Sequence, residues 1–241
     1  RAWLAVLKAE PELIDRYVEQ RGWDEVICER WQSRLTMSEA ELEAHLSTLY
    51  PESRTCEPRL WRDQRFNHPG QPVVGVCWHE ARAYCSWLAA QTGLPVRLPT
   101  EVEWEAAARG AHGRGYAYGD DFDRLKGNTT ETHLRSPAPV GVFVGGDTPE
   151  GVCDLSGNVC AWTTSAFGTV DDVAEYGYPY GADDGREEAD TPNAVRRVVR
   201  GGGYDNAPSY ARAAFRDYVH PGYWGGSYGF RVLVALSSPI L

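Results

Sequence analysis

Apolar residues open the chain at near-helical spacing, with Leu4, Leu7, Leu13, Ile14, Tyr17 and Val18 in phase and a break at Pro11, so residues 1–50 are expected to be helical. A second helix is predicted over 38–46, with Ser38 as N-cap and Glu41 three residues on. Residues 61–72 have the composition of an ordered loop, and 73–76 of a short strand. Ala81, Tyr84, Cys85, Leu88 and Ala89 then fall on one helix face that Gly93 terminates. A strand at 96–98 leads to Thr100, which opens a helix with Glu103 completing a capping box. Trp104, Ala107 and Ala108 mark its apolar face and Gly110 its end. From residue 111 the pattern changes to strands and loops, with an acidic stretch at 171–190 expected to be a solvated surface insertion. Strands are predicted at 197–200, 210–216 and 230–235, separated by turns rich in Gly, Pro, Asn and Asp.

With 241 residues at 42% hydrophobic, the chain can bury one substantial core. The helical part, 1–55, is therefore expected to be integral to the same domain as 56–241. A formal net charge of −10 argues against nucleic-acid or anionic-membrane partners, because such binding works by neutralising phosphates with Lys and Arg. Only Lys8 and Lys126 are lysines. No apolar run is long enough to span a bilayer and no signal peptide is visible, so a soluble chain without membrane insertion is expected, its location left open. A monomer is expected. Cys28, Cys56, Cys77, Cys85, Cys153 and Cys160 form neither CxxC nor a zinc-finger spacing with His, and are read as reduced, partly buried thiols.

Six segments taken in order carry a resemblance. They are PVVGVCWHEARAYCSWLAAQTG at 72–93, VRLPTEVEWEAAARG at 96–110, YAYGDDFD at 116–123, GVCDLSGNVCAWT at 151–163, RVVRGGGY at 197–204 and YGFRVLVA at 228–235. Together, over roughly 60–236, they resemble the formylglycine-generating-enzyme (sulfatase-modifying factor) family; 17–31 resembles the region that precedes them there. The resemblance implies an α+β, C-type-lectin-like fold, loop-rich, with a small twisted antiparallel sheet and two helices. It also implies where catalysis would sit. The two copper-binding cysteines of the family's enzymes fall near Asn206 and Ala211, neither a thiol, and no cysteine follows Cys160. Related sulfoxide synthases use histidine-bound iron, but His45, His68, His79, His112, His133 and His220 form no HxxxH pair. No catalytic residue and no cofactor is therefore expected. Calcium is a weak exception: Asp154, Gly157 and Val159 match the family's site, while Ala161 stands where its glutamate belongs. Asp154 and Asn158 read better as turn residues.

Between 203 and 228 the composition narrows. Asp205, Asn206, Ala207, Ser209, Tyr210, Asp217, Tyr218, His220, Gly222, Tyr223, Trp224, Ser227 and Tyr228 are expected to be exposed, and Glu, Gln, Lys, Leu, Ile and Thr are absent. Every residue type of this set except Trp can be encoded by a codon ending in C, the repertoire left when the adenines of AAC are randomised. Arg212, Ala214, Phe215, Arg216, Gly229, Phe230 and Arg231 read as interleaved scaffold; the alternative, that the aromatics of the segment fill a loop-rich core, is strongest for Tyr204 and Phe215. This alphabet resembles that of variable proteins of diversity-generating retroelements. It is also the chemistry of adaptable binding surfaces, in which Tyr supplies amphipathic area and small polar residues adjust around it. The expectation is a non-catalytic display protein whose 203–228 surface binds an unknown protein or other surface ligand. A diverged oxidase and a fixed interaction module of a larger effector are the alternatives.

Overall fold

The computed structural model describes residues 8, 14, 25–49, 57–169, 173–189 and 194–235. Two compact units make up the chain, Arg1–Glu57 and Pro58–Leu241. Of the first apolar series, Ile14 is helical and buried, and its other members lie outside the described residues. Helix α1 spans Glu25–Thr36 and α2 spans Glu39–Leu49. The capping box at α2 forms as expected: Ser38 N donates to Glu41 Oε2 at 2.9 Å, and Glu41 N donates to Ser38 Oγ at 3.3 Å.

In the second unit, α3 runs Trp78–Thr92 and stops at Gly93, whose φ of 70° is the left-handed conformation glycine adopts without penalty. Trp78, Ala81 and Cys85 carry its buried stripe. Tyr84 does not belong to it: it lies on the flank, 45% exposed, its ring against Trp87 and Phe230. After β1 (Val96–Arg97), α4 spans Glu101–Arg109 with the Thr100–Glu103 capping box in place. Its buried stripe is Glu101, Trp104 and Ala108, at the i, i+3, i+7 spacing of one face. Ala107, one residue off that phase, is exposed.

A four-stranded sheet has the order β4-β3-β2-β5, from Asp217–Val219, Arg196–Arg200, Cys160–Gly168 and Tyr228–Phe230. β2–β3 and β3–β4 are antiparallel, and β2–β5 is parallel. β6 (Leu233–Val234) pairs with β1 as a separate two-stranded sheet. The strand expected at 230–235 is therefore two, because the chain changes sheets where Arg231 turns inward to donate to Cys153 O at 2.9 Å. The strand expected at 210–216 is instead a 3-10 turn, Pro208–Ala211, followed by local turns. Alternation is present, with Ala211 and Ala213 buried, but the backbone bonds are local or to Gly115 and form no ladder. Residues 73–76 are extended without a ladder as well. Gly75 has φ +74° and bonds to loops, while Val76 O accepts from the Trp162 indole at 3.1 Å.

The core fills the space between α3 and the sheet with Trp78, Leu98, Trp162 and Val199, and a second cluster lies under Trp104. Arg196, Arg197 and Arg200 of β3 are buried too. Their guanidinium groups donate to backbone carbonyls: Arg197 to Thr164 O at 2.7 Å, Arg200 to Phe215 O at 2.6 Å. Burial pulls Arg197 down to about 10, so it stays charged at neutral pH.

The acidic stretch is largely exposed, as expected, and is also tied to the core. Arg186, 1% exposed, bonds Asp184 and reaches Glu101 Oε1 at 3.2 Å, while Arg216 holds the same buried carboxylate at 2.6 and 2.8 Å. Glu187 accepts from Tyr180 at 2.8 Å, and from Thr164 and Ser165. Among the described residues Cys28, Cys77, Cys85, Cys153 and Cys160 are free thiols, and no helix is long and apolar enough to cross a membrane.

Candidate binding face and the family's catalytic positions

The 203–228 segment leaves β3 through Gly201 and Gly202, with φ of +90° and +66°. A Cβ at Gly202 would lie 2.9 Å from the Tyr210 carbonyl carbon, and one at Gly203 would lie 2.8 Å from Ser227 Cβ. This close approach folds 205–210 back against 227, and places the Asp205 carboxylate beside Ser227 across Gly203.

Seven of the thirteen candidates are exposed: Asp205, Ala207, Ser209, Tyr210, Gly222, Tyr223 and Trp224. The three large ones are 38%, 47% and 38% exposed, respectively Tyr210, Tyr223 and Trp224. Asn206, Asp217, Tyr218, His220 and Tyr228 are half-buried. Ser227 corrects the expectation of exposure: it is buried at 5%, because it packs against Gly203 where β5 begins. Tyr218 stacks on Phe167 with centroids 4.1 Å apart, as befits a strand residue. Tyr204 is core, in a cluster with Phe66 and Val74. Of the residues read as scaffold, Arg216 and Gly229 point inward, but Arg212 and Ala214 are exposed.

Asn206 is a staple. Its Oδ1 accepts from Gly203 N at 2.8 Å and from Cys160 Sγ at 3.3 Å, and its carbonyl accepts from Thr130 N at 3.0 Å. Sequence spacing hid the proximity of Cys160, which lies on another strand. Burial, then Asp217 and Asp205, push that thiol well above its ordinary range, so it is a neutral donor to the amide. Burial likewise raises Asp217 and Tyr228. His220 is driven down to about 4 by burial, then by Arg196 and His79, and is neutral at pH 7. Its Nδ1 accepts from Gly222 N at 3.1 Å, which closes the turn.

The family's metals do not fit these residues. At the copper positions stand an amide already engaged and Ala211, whose methyl is 1% exposed. At the calcium position Ala161 offers no side-chain oxygen, and Gly157 O already accepts from Val159 N. Asp154 and Asn158 have φ of +53° and +70° and use their side chains internally, Asp154 Oδ2 on Gly141 N and Asn158 on Ala138. Among the described residues no group of three His, Cys, Asp or Glu is arranged to hold a metal ion.

Residues 11–236 match the model of the sulfatase-modifying factor enzyme 1-like domain, a match that begins well before residue 60. Hercynine oxygenase of Mycobacterium tuberculosis is 35% identical over 189 residues, covering 68% of this chain and 39% of that protein. The chain spans between 23% and 56% of the length of the curated relatives it matches. Among solved structures, variable protein 1 of Treponema denticola superposes with a TM-score of 0.54 at 21% identity, over 68% of this chain and 70% of that one. PvdO from Pseudomonas aeruginosa superposes with a TM-score of 0.57 at 26% identity, over 68% and 62%. The fold is thus the C-type-lectin-like one that the sequence motifs imply.

Proposed function

Starting from a chain that belongs to the sulfatase-modifying factor enzyme 1-like domain family, we propose that it is a non-catalytic display protein whose 203–228 surface is diversified by a retroelement and binds a protein or other surface ligand. One observation carries the reading. Where the family's enzymes bear their reactive cysteines, this chain has Asn206 locked in a staple and Ala211 buried, and around them Tyr210, Tyr223 and Trp224 stand open to solvent. The thiol that reaches Asn206, Cys160, is buried and held neutral, so it offers neither a thiolate nucleophile nor a soft-metal pair. A surface of aromatic anchors set among Asp, Ser, Ala and Gly offers binding. The likeness in fold to a variable protein agrees with that use of the scaffold.

Sequencing this locus across related isolates tests it. Changes should concentrate at the codons of the exposed positions, beside a reverse transcriptase gene and an adenine-rich near-copy of the segment. Changes spread evenly along the chain would remove the proposal. The 35% identity to a hercynine oxygenase favours a second reading, a diverged oxidase. Under it the purified protein should bind iron(II) or copper(I) stoichiometrically at the 205–220 loop; under ours neither metal alters its unfolding midpoint.

A further inference from the structure

Trp224 differs from the other open residues of the face in two independent ways. Its codon is the one that departs from the restricted repertoire, and a cation sits on its ring: the Arg59 guanidinium carbon lies 4.4 Å from the Trp224 centroid. Tyr223, its neighbour, meets the edge of Tyr228 with ring centroids 5.2 Å apart. The loop that supplies Arg59 is itself held. Arg59 N donates to Gly75 O at 3.3 Å, the backbone turns at Trp61, Asp63 and Phe66 close on Pro58, Leu60 and Asp63, and Asn67 Nδ2 caps Trp61 O at 2.9 Å. The 220–226 turn is tied to the same framework by its carbonyls. Gly75 N donates to Gly225 O at 3.1 Å and Trp78 N to Pro221 O at 3.0 Å, and a Cβ at Gly226 would meet Phe66 and the Tyr204 hydroxyl at 3.1 Å.

We infer that Trp224 is a fixed anchor of the face rather than one of its variable positions, and that Arg59, on a loop far away in sequence, is the residue that positions it. The inference rests on the reading of 203–228 as a binding surface. A guanidinium over an indole is the strongest pairing of its type, and it holds the aromatic plane while leaving an edge free. A turn whose carbonyls and one ring are fixed can change Tyr223 without changing shape, and Trp224 then offers each ligand the same apolar contact.

The test needs no ligand. The chain is labelled with 5-fluorotryptophan, and the Trp224 resonance is assigned by Trp224→Phe. Arg59→Ala should move that resonance towards its solvent-exposed position and speed amide exchange across 220–226 by about two- to five-fold, the scale of an exposed cation–π contact. Arg59→Lys, which keeps the charge and loses the plane, should fall between, and Tyr223→Ser should leave the resonance in place. An unmoved Trp224 signal with unchanged exchange in Arg59→Ala overturns the inference. So does finding Trp224 as changeable among related loci as Tyr223. Because both fluorine and exchange readouts come from the free protein, the clamp can hold where the binding proposal fails, and the reverse.

Discussion

Asn206 shows how far a single side chain can shift from its apparent role. Its residue type belongs to the adaptable alphabet, yet its Oδ1 joins Gly203 N to the Cys160 thiol and so closes the loop onto β2. Asn206→Ala should therefore cost about 1–3 kcal/mol in urea unfolding, the penalty for stranding buried donors. Tyr223→Ser, at a side chain 47% exposed, should stay within about 0.5 kcal/mol of the parent in the same assay. Ser227→Tyr, into a site 5% exposed, should lower the midpoint markedly because the ring has no space beside Gly203. His220 sets a pH dependence. It titrates near 4 in the folded chain against 6.5 when unperturbed, so between those values the unfolded chain binds more protons. Stability is level above pH 6.5 and falls as pH drops towards 4, by at most about 3 kcal/mol from this group. The difference in unfolding free energy between the parent and His220→Asn, followed from pH 8 to 4, should trace that slope; parallel curves would contradict it.

Local signals set the elements that were legible in advance. Ser38–Glu41, Thr100–Glu103 and Gly93 act within one turn of their helices, and all three are found as expected. Strands were harder, because a strand is made by its partners. The alternation at 210–216 is real, but Ala213 N bonds to Gly115 O, a contact that period alone does not reveal. The acidic insertion is largely exposed, as expected, but its attachment through Arg186 was not legible for the same reason: the partner Glu101 is 85 residues away in sequence. Glu101 is fully buried and serves two arginines, one from the insertion and one just before β4. Glu101→Ala should cost about 3–5 kcal/mol, since it takes this carboxylate from Arg216 and leaves the buried Arg186 with Asp184 alone. Hydrogen exchange should then rise across 173–189 before it rises in β2 and β3; simultaneous loosening of all three would mean the pair does not act as a tether.

At the scale of the whole unit, ordered motifs made the fold readable where periodicity alone did not. Trp78, Trp104 and Trp162 fill the core, and irregular segments such as 73–76 and 205–210 are pinned by bonds to that core. The exposure of side chains along 203–228 was legible in outline. Exposure of Asp205, Ser209, Tyr210 and Tyr223 follows the composition, whereas the inward turn of Ser227 and Asn206 depends on glycine contacts between distant segments. A framework pinned in this way should tolerate change at its exposed side chains. Thermal unfolding of a panel carrying simultaneous random substitutions at Asp205, Ala207, Ser209, Tyr210, Gly222 and Tyr223 measures that most directly. Six exposed changes at a few tenths of a kcal/mol each should leave most members unfolding cooperatively within about 10 °C of the parent. Loss of cooperative unfolding in most of the panel would mean that these side chains hold the fold together and are not free to vary.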